Sequence, residues 1–373
     1  MKKIKIALAG IGNCASSLIQ GLHLYKNINP NEIIPGILHT KIGEYEIKDI
    51  EVVAAFDIDK RKVGFDLSEA IYAKPNNTLN LVHKIPKTNV IVNRGPTLDG
   101  FSKHMLEYPE NERFVESDEK PVNVKEVLRK IKPDMLICYL PVGSQKAVEY
   151  YANACLESNT AFINAMPVFI CSDSNWAEKF EKKGLICAGD DIKAQIGATI
   201  LHRVLVHLFE SRGVKILRTY QLNFGGNTDF LNMLAKERLG LKKISKTESV
   251  QSQLKQRLEK NNIHIGPSDY IPWQKDNKIC YIRIEGENFG NAPVTLELKL
   301  SVEDSPNSAG VMIDVIRAVK IAMDSGLKGP LYDICSFAFK HPPIQKTDEK
   351  SKEDFENFIK KYGKNKNCKS IQY

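Results

Sequence analysis

Short runs of β-branched and apolar residues recur through the first half of the chain, at Ile4 to Ala9, Glu51 to Phe56, Val90 to Asn93, Met135 to Leu140, Ala161 to Asn164 and Leu185 to Ala188. Between several of them lie stretches of helical periodicity: Val122 to Ile131, Ser144 to Glu157 and Asp173 to Lys183. Strands alternating with helices build βαβ units, which predicts an α/β fold with a mostly parallel sheet covered on both faces. From about Ile192 a long amphipathic helix is expected to run to Ser211-Arg212-Gly213, where Gly213 stops it. After it the rhythm changes. Val214 to Phe224, Ile279 to Glu285 and Val294 to Val302 are longer and alternate in polarity, as in an antiparallel sheet with one face open to water or to another subunit. Ser308 to Ser325 then reads as a helix apolar on both sides, expected to pack back on the first domain. The 373 residues thus divide into a first domain over 1–212, a second over 213–305 and a returning segment over 306–373.

The turn Gly10-Ile11-Gly12-Asn13-Cys14-Ala15 follows a strand and opens a helix, matching the G-x-G-x-x-A fingerprint in its required context. Such glycines let the backbone turn tightly and approach a pyrophosphate seated on the free N–H groups of a helix N-terminus. Asp57 ends the second strand, either as a surface turn residue or as the acid that bonds a ribose 2′-hydroxyl, which favours NAD over NADP. Its distance from the glycine turn is long because Asn27 to Lys48 is inserted after the first helix. The polar clusters Pro141 to Ser144, Asn164 to Pro167 and Gly189 to Lys193 each follow a predicted parallel strand. Ligands of open α/β sheets bind beyond the carboxyl ends of the strands, so these loops and the glycine turn are expected to face one crevice.

Two lysine positions stand out. Lys193 follows Asp190-Asp191 and is either a surface ion-pair partner or a desolvated amine suited to proton transfer. Ser245 and Glu248 have capping-box spacing, predicting a helix that starts there and runs through Leu258. Lys242, Lys243 and Lys246 then crowd an end that the macrodipole already makes positive; they form a solvated turn or the bed of an anion.

Other classes are less well served. The eight cysteines, at 14, 138, 155, 171, 187, 280, 335 and 368, form no C-x-x-C pair and read as reduced core residues, and no signal-peptide core or membrane span is legible. A cytoplasmic enzyme is expected. The formal charge of +8 and the run Lys360, Lys361, Lys364, Lys366 and Lys369 come without any nucleic-acid motif, so a phosphorylated small substrate is the simpler anionic partner. His202 and His207 do not share a helical face and no metal site is legible, while a divalent cation shared with a phosphate would need few protein ligands.

With these residues placed, the chain resembles the myo-inositol-1-phosphate synthase family, in particular its shorter prokaryotic branch, from Ile4 to about Gln345. The resemblance rests on ordered strings that include GIGNCASSLIQG, YLPVGS, NAMPVFI, GDDIKAQIGAT, GGNTDFLNM, KKISKT and EDSPNSAG. It implies a Rossmann-type NAD domain, a second α+β domain that binds substrate and assembles a homotetramer, and a C-terminal section returning to the first. It also implies an enzyme that converts glucose 6-phosphate to 1L-myo-inositol 1-phosphate by oxidation at C5, enolisation, aldol closure and re-reduction on one bound NAD.

By similarity the cofactor contacts are Gly10, Gly12, Asn13, Cys14, Asp57, Ser144 and Asp190, and the catalytic group is Lys193, Lys242, Lys340 and Asp276. Asn164, Asp191, Asn227, Asp229 and Lys246 are the expected substrate contacts. Lys193 is assigned to C5, Lys340 to the same oxygen region or the open end of the sugar, and Lys242 to the C1 alkoxide or phosphate. Gly197 stands where the longer eukaryotic branch has a further lysine, and Lys246 is the candidate to compensate. Two other readings of the residues remain: an NAD-dependent dehydrogenase of a phosphorylated or amino-acid aldehyde, and a non-catalytic NAD-binding sensor.

Overall fold

The computed structural model describes residues 3–29 and 32–363, except the side chains of Pro267 and Ser268; Lys364, Lys366, Lys369 and Cys368 lie outside the described residues. Its main sheet comprises β1 (Ile4–Ala9), β4 (Ile50–Asp57), β5 (Val92–Arg94), β6 (Met135–Cys138), β7 (Ala161–Asn164), β8 (Ile186–Ala188) and β13 (Gly329–Pro330). The strands are parallel throughout and ordered β13-β8-β7-β6-β1-β4-β5. Order reverses at β1, so right-handed crossovers put the helices on opposite faces. Thus α1 (Asn13–Leu24) packs with α9 (Asp304–Asp324) on one side, and α3 (Val124–Ile131) with α4 (Gln145–Ser158) on the other. The short α2 (Leu67–Ala70) lies between β4 and β5 in the chain, and α5 (Ser174–Lys182) packs on β8 and β13. It is the Rossmann-type α/β sheet expected, except that the two-residue edge strand β13 is too short to carry a pattern.

The second sheet is ordered β10-β9-β11-β12, from β9 (Lys215–Gly225), β10 (Ile263–Tyr270), β11 (Asn277–Glu287) and β12 (Pro293–Glu303). It is mixed rather than antiparallel, because β10 pairs parallel with β9. Gly266 and Pro267 interrupt β10 and masked it as a strand, although an edge position tolerates both. One face is covered by α6 (Ala198–Ser211) and α8 (Gly240–Gln251), with Cys280, Ile282 and Ile284 buried beneath. The alternate residues Tyr220 and Tyr281 remain substantially exposed on the other face. The short α7 (Thr228–Asn232) follows β9.

Two helix starts and one domain assignment need correction. Helix α6 begins at Ala198, after an extended Gly197 cap, because residues 191–193 instead pair with the backbone of Ala338 to Lys340. It ends as expected at Gly213, whose φ is +74°. Expected in the first domain, α6 packs with β9, β11 and α8, placing Val206 and Phe209 in the second core. Helix α8 starts at Gly240 and ends at Gln251, so Ser245 is no cap; it is buried within the helix.

The returning helix α9 is buried along most of its length in the first core, joined by α10 (Tyr332–Ala338) and α11 (Asp348–Tyr362). Its charged pair Asp314–Arg317 explains the insertion after α1. Arg317 donates to the carbonyls of His39 (2.6 Å) and Thr40 (2.8 Å), and Asp314 accepts from Leu38 N–H. The hairpin β2 (Lys41–Ile42) and β3 (Tyr45–Glu46) follows, with Tyr45 donating to Asp324. The insert thus satisfies polar groups on a helix that would otherwise bury them unpaired. Among the described residues no helix is long and apolar enough to cross a membrane.

The β1–α1 turn admits only glycine at its first position. Gly10 has φ +91°, and a Cβ there would lie 2.5 Å from the carbonyl oxygen of Tyr139. Gly10→Ala is therefore expected to cost about 1–3 kcal/mol through the unfavourable φ alone. Denaturant unfolding with an unchanged midpoint would show that the turn relaxes freely.

Candidate functional site

Parallel strands deliver their carboxyl ends to one edge, and there the two sheets enclose a cleft of roughly 1370 Å³, counting its open mouth. One wall is the glycine turn with Gly12, Asn13 and Cys14. At Gly12 a Cβ would meet nothing within 4 Å, so the missing side chain leaves room for a ligand beside the N-terminus of α1. The opposite wall carries Lys242, Lys246 and Lys278 from the second unit, and Lys193 and Lys340 complete the lining.

Backbone pairing brings Lys193 and Lys340 together from 147 positions apart in sequence. Lys193 N–H donates to Ala338 O (2.8 Å) and Lys340 N–H to Asp191 O (2.7 Å), so the GDD loop and the segment after α10 form a small ladder. Asp191 sits between them with φ +62°, its carboxylate accepting from Lys340 Nζ (2.8 Å) and Ser245 Oγ (2.6 Å). Burial pushes that carboxyl up, but Lys340 and Lys242 outweigh it and hold it below the ordinary range. Across the cleft, Lys242 donates to Asp229 Oδ2 at 2.8 Å.

Two lysines are electrostatically unusual. Lys193, only 2% exposed, donates to Ser336 O (2.9 Å) and to Asp348 Oδ1 (3.4 Å). Burial, aided by Arg203 and Lys340 and opposed by Asp348, brings its ammonium down to about 7. Burial likewise brings Lys246 down to about 7, with Lys242, Lys340 and Lys278 adding repulsion. Among the described residues Lys246 makes no ion pair. A neutral amine and a protonated one are both accessible near pH 7, the condition for an efficient acid–base group.

Not every residue expected in the site reaches the cleft. Asp57 ends β4, but its Oδ2 accepts from Ile11 N–H (2.7 Å) and its Oδ1 from Ile58 and Asp59, so it braces the glycine turn. Ser144 is buried against Arg238. Asp190 accepts from Asn164, Ile170, Cys171 and Ser172, and thereby fixes the loop after β7; Asn164 is consumed in the same network. Asp276 accepts from Asn13, Asn227 and Ser305, and burial together with Asp304 raises it to about 6. These five, with Gly10, stand behind the lining and act on it through others, whereas Asn227 and Asp229 line it. Conversely, Lys278, paired with Asp304, and Ser305, Ser308 and Tyr139 line the cleft without having been singled out. The string EDSPNSAG held Ser305 and Ser308 together with Asp304, and an acid and serines at a helix start serve equally well as a cap.

Comparison with known proteins points to one family. The profile of the myo-inositol-1-phosphate synthase family matches residues 197–305. The inositol-3-phosphate synthase of Mycolicibacterium smegmatis is 51% identical over 361 residues, covering 96% of this chain and 98% of the relative. That of Corynebacterium glutamicum is 50% identical over 361 residues, covering 95% and 98%. Among solved structures, Ari2 superposes with a TM-score of 0.76 at 31% identity, covering 97% of this chain and 99% of the other. The Caenorhabditis elegans inositol-3-phosphate synthase shares the fold, with a TM-score of 0.73 at 14% identity over 97% and 86%. Identity of this extent over almost the full length of both partners establishes that the chain belongs to the myo-inositol-1-phosphate synthase family.

Proposed function

We propose that the chain converts glucose 6-phosphate to 1L-myo-inositol 1-phosphate on a bound NAD. The observation that carries this reading is the convergence of Lys193, Lys242, Lys246 and Lys340 on the same cleft as Gly12, Asn13 and Cys14. Gly10, which leaves no room for a side chain, and Gly12, which leaves a space, fit a dinucleotide at the turn, with Asp57 bracing it. When bound, NAD supplies a reversible hydride acceptor, so oxidation at C5 and re-reduction after ring closure cancel.

The protein's own part is proton and charge handling. Lys193 in its neutral form accepts the proton of the C5 hydroxyl, and as an ammonium it polarises the C5 carbonyl so that a C6 proton becomes acidic. Lys340, anchored on Asp191, holds negative charge at the same oxygen or at the open end of the sugar. Lys242 meets the C1 alkoxide of the aldol step or the phosphate, and Lys246 the phosphate. Fixed ammonium groups stabilise oxyanions without reorganising. Asp276 joins these elements rather than touching substrate. We place the activity in the cytoplasm, in a homotetramer assembled through the open face of the second sheet. Among the described residues no group of three or more His, Cys, Asp or Glu is arranged to hold a metal ion. A divalent cation bridging phosphate and cofactor would draw on few protein ligands.

Protein incubated with glucose 6-phosphate and NAD is expected to form inositol phosphate without stoichiometric NADH. A steady rise at the NADH absorbance band matching sugar consumed would instead identify an ordinary dehydrogenase. Lys193→Ala is expected to retain NAD binding in a fluorescence titration while turnover falls by about two to four orders of magnitude. Turnover within a few-fold of the parent would remove Lys193 from the chemistry.

Lys246→Gln separates stability from binding. An ammonium lowered from 10.5 to about 7 burdens the folded state below pH 7, and the burden fades as pH rises towards 10.5. The substitution is therefore expected to stabilise the ligand-free protein at pH 6–7 by about 1 kcal/mol, to help little at pH 10, and to raise KM for glucose 6-phosphate. Equal melting temperatures at pH 6 together with an unchanged KM would make Lys246 a bystander.

A further inference from the structure

Helix α11 contributes nothing to the lining of the cleft, yet its first residue reaches the proposed acid–base lysine from behind. Thr347 caps the helix by accepting from Lys350 N–H, which turns Asp348 inward. The Asp348 carboxylate is then divided between two buried cations: Oδ2 accepts from Arg203 Nε at 2.8 Å and Oδ1 from Lys193 Nζ at 3.4 Å. Arg203 is wholly buried in α6 and spends its other donors on Ser249 O (2.6 Å) and Lys346 O (2.7 Å), so it holds α6, α8 and the entry to α11 together. Phe355 of α11 stacks on Phe337 of α10 with centroids 4.5 Å apart, which fixes α11 beside the helix that carries Ser336.

The groups facing Lys193 are therefore Arg203 from α6, Lys340 and Ser336 O from α10 and the segment after it, and Asp348 from α11. Two of these are cations. Asp191 is already bound to Lys340, so Asp348 is the carboxylate that pairs with Lys193 among the described residues.

We propose that Asp348 is the positioning residue of Lys193: it holds the ammonium against Ser336 O and supplies the negative charge that keeps the amine able to cycle between its two protonation states. The proposal rests on the reading of Lys193 as the proton-transfer group. Without Asp348, burial and the cations Arg203 and Lys340 act unopposed, the amine stays neutral at working pH, and its direction is no longer fixed. Neither effect requires contact between Asp348 and substrate.

The test is the pH dependence of kcat and of kcat/KM for glucose 6-phosphate on the NAD-saturated full chain. The parent is expected to gain activity through an acid limb near pH 7 as Lys193 loses its proton. In Asp348→Asn that limb is expected to move to lower pH by about one unit or more, while the kcat plateau falls roughly ten- to a hundredfold and KM changes little. Asp348→Glu, which keeps the charge, is expected to restore the limb. Asp354→Asn on the same helix, whose partners are Lys346 and Lys350, is expected to leave the profile unchanged. If the amide does not permit folding, Asp348→Ser is read in the same way.

A lower plateau with an unmoved limb in a folded charge-removing variant would make Asp348 a merely structural contact and overturn the proposal. The same Lys193→Ala protein distinguishes the two levels. If it remains active, the reading of Lys193 fails; if it is inactive and Asp348→Asn keeps the parental limb, only the positioning role fails.

Discussion

One buried carboxylate joins the parts of the molecule that must meet for a site to exist. Asp276 lies just ahead of β11, and its oxygens accept from Asn13 in the glycine turn, Asn227 after β9 and Ser305 at the start of α9. Those three residues belong to the start of α1, the segment after β9 and the returning helix α9. The bonds from Asn227 and Ser305 satisfy a buried amide and a buried hydroxyl, and the carboxylate needs these donors in return, since burial and Asp304 act to protonate it. Asn13 meanwhile accepts from the N–H groups of Asn77 and Thr78, which extends the joint to the loop after α2. The orientation of the two sheets across the cleft depends on this shared node.

Around that node the cleft is loaded with cations beyond what its acids neutralise. Asp191 serves Lys340, Asp229 serves Lys242 and Asp304 serves Lys278, while Lys246 stays without an ion-pair partner among the described residues. Such an arrangement is costly in the empty protein and becomes favourable when an anion enters, which is how binding energy is directed to a phosphorylated ligand. The crowding of lysines at Lys242 to Lys246 was legible in the sequence, but for the wrong reason. It was attributed to a helix end at Ser245, whereas α8 begins five residues earlier and Ser245 uses its hydroxyl to orient Asp191.

What the sequence made legible follows the range of the interactions involved. The parallel sheet, its central strands and the glycine turn rest on local period and on Gly10, whose φ no other residue adopts readily, so they were accessible from neighbours in the chain. Strand β10 was hidden by Gly266 and Pro267, and the start of α6 by an amphipathic pattern that reaches back to Ile192, where the structure has a bridge to Phe339 instead. Asp57 and Asp190 were correctly placed at strand ends, yet a carboxylate at a strand end can meet ligand or backbone, and only coordinates show which bonds are already filled. Lys193 with Asp348, 155 positions apart, left no local signal at all.

The same range argument explains why the chain leaves the first sheet and comes back. Helix α9 inserts beside α1 and is clamped by the segment inserted after α1, through Arg317 to His39 and Thr40. The second sheet is thereby attached by two covalent crossings, one into α6 and one from β12 into α9, and neither can swing without breaking buried bonds. A reaction that moves a hydride away and then returns it to the altered ligand requires that the intermediate never leave and that each oxyanion be met by a charge already in place. Returning the chain to its starting domain achieves this. It brings Ser305 to the glycine turn, Lys340 to Asp191 and Asp348 to Lys193, so three contacts between segments far apart in sequence are fixed by the fold before any ligand binds.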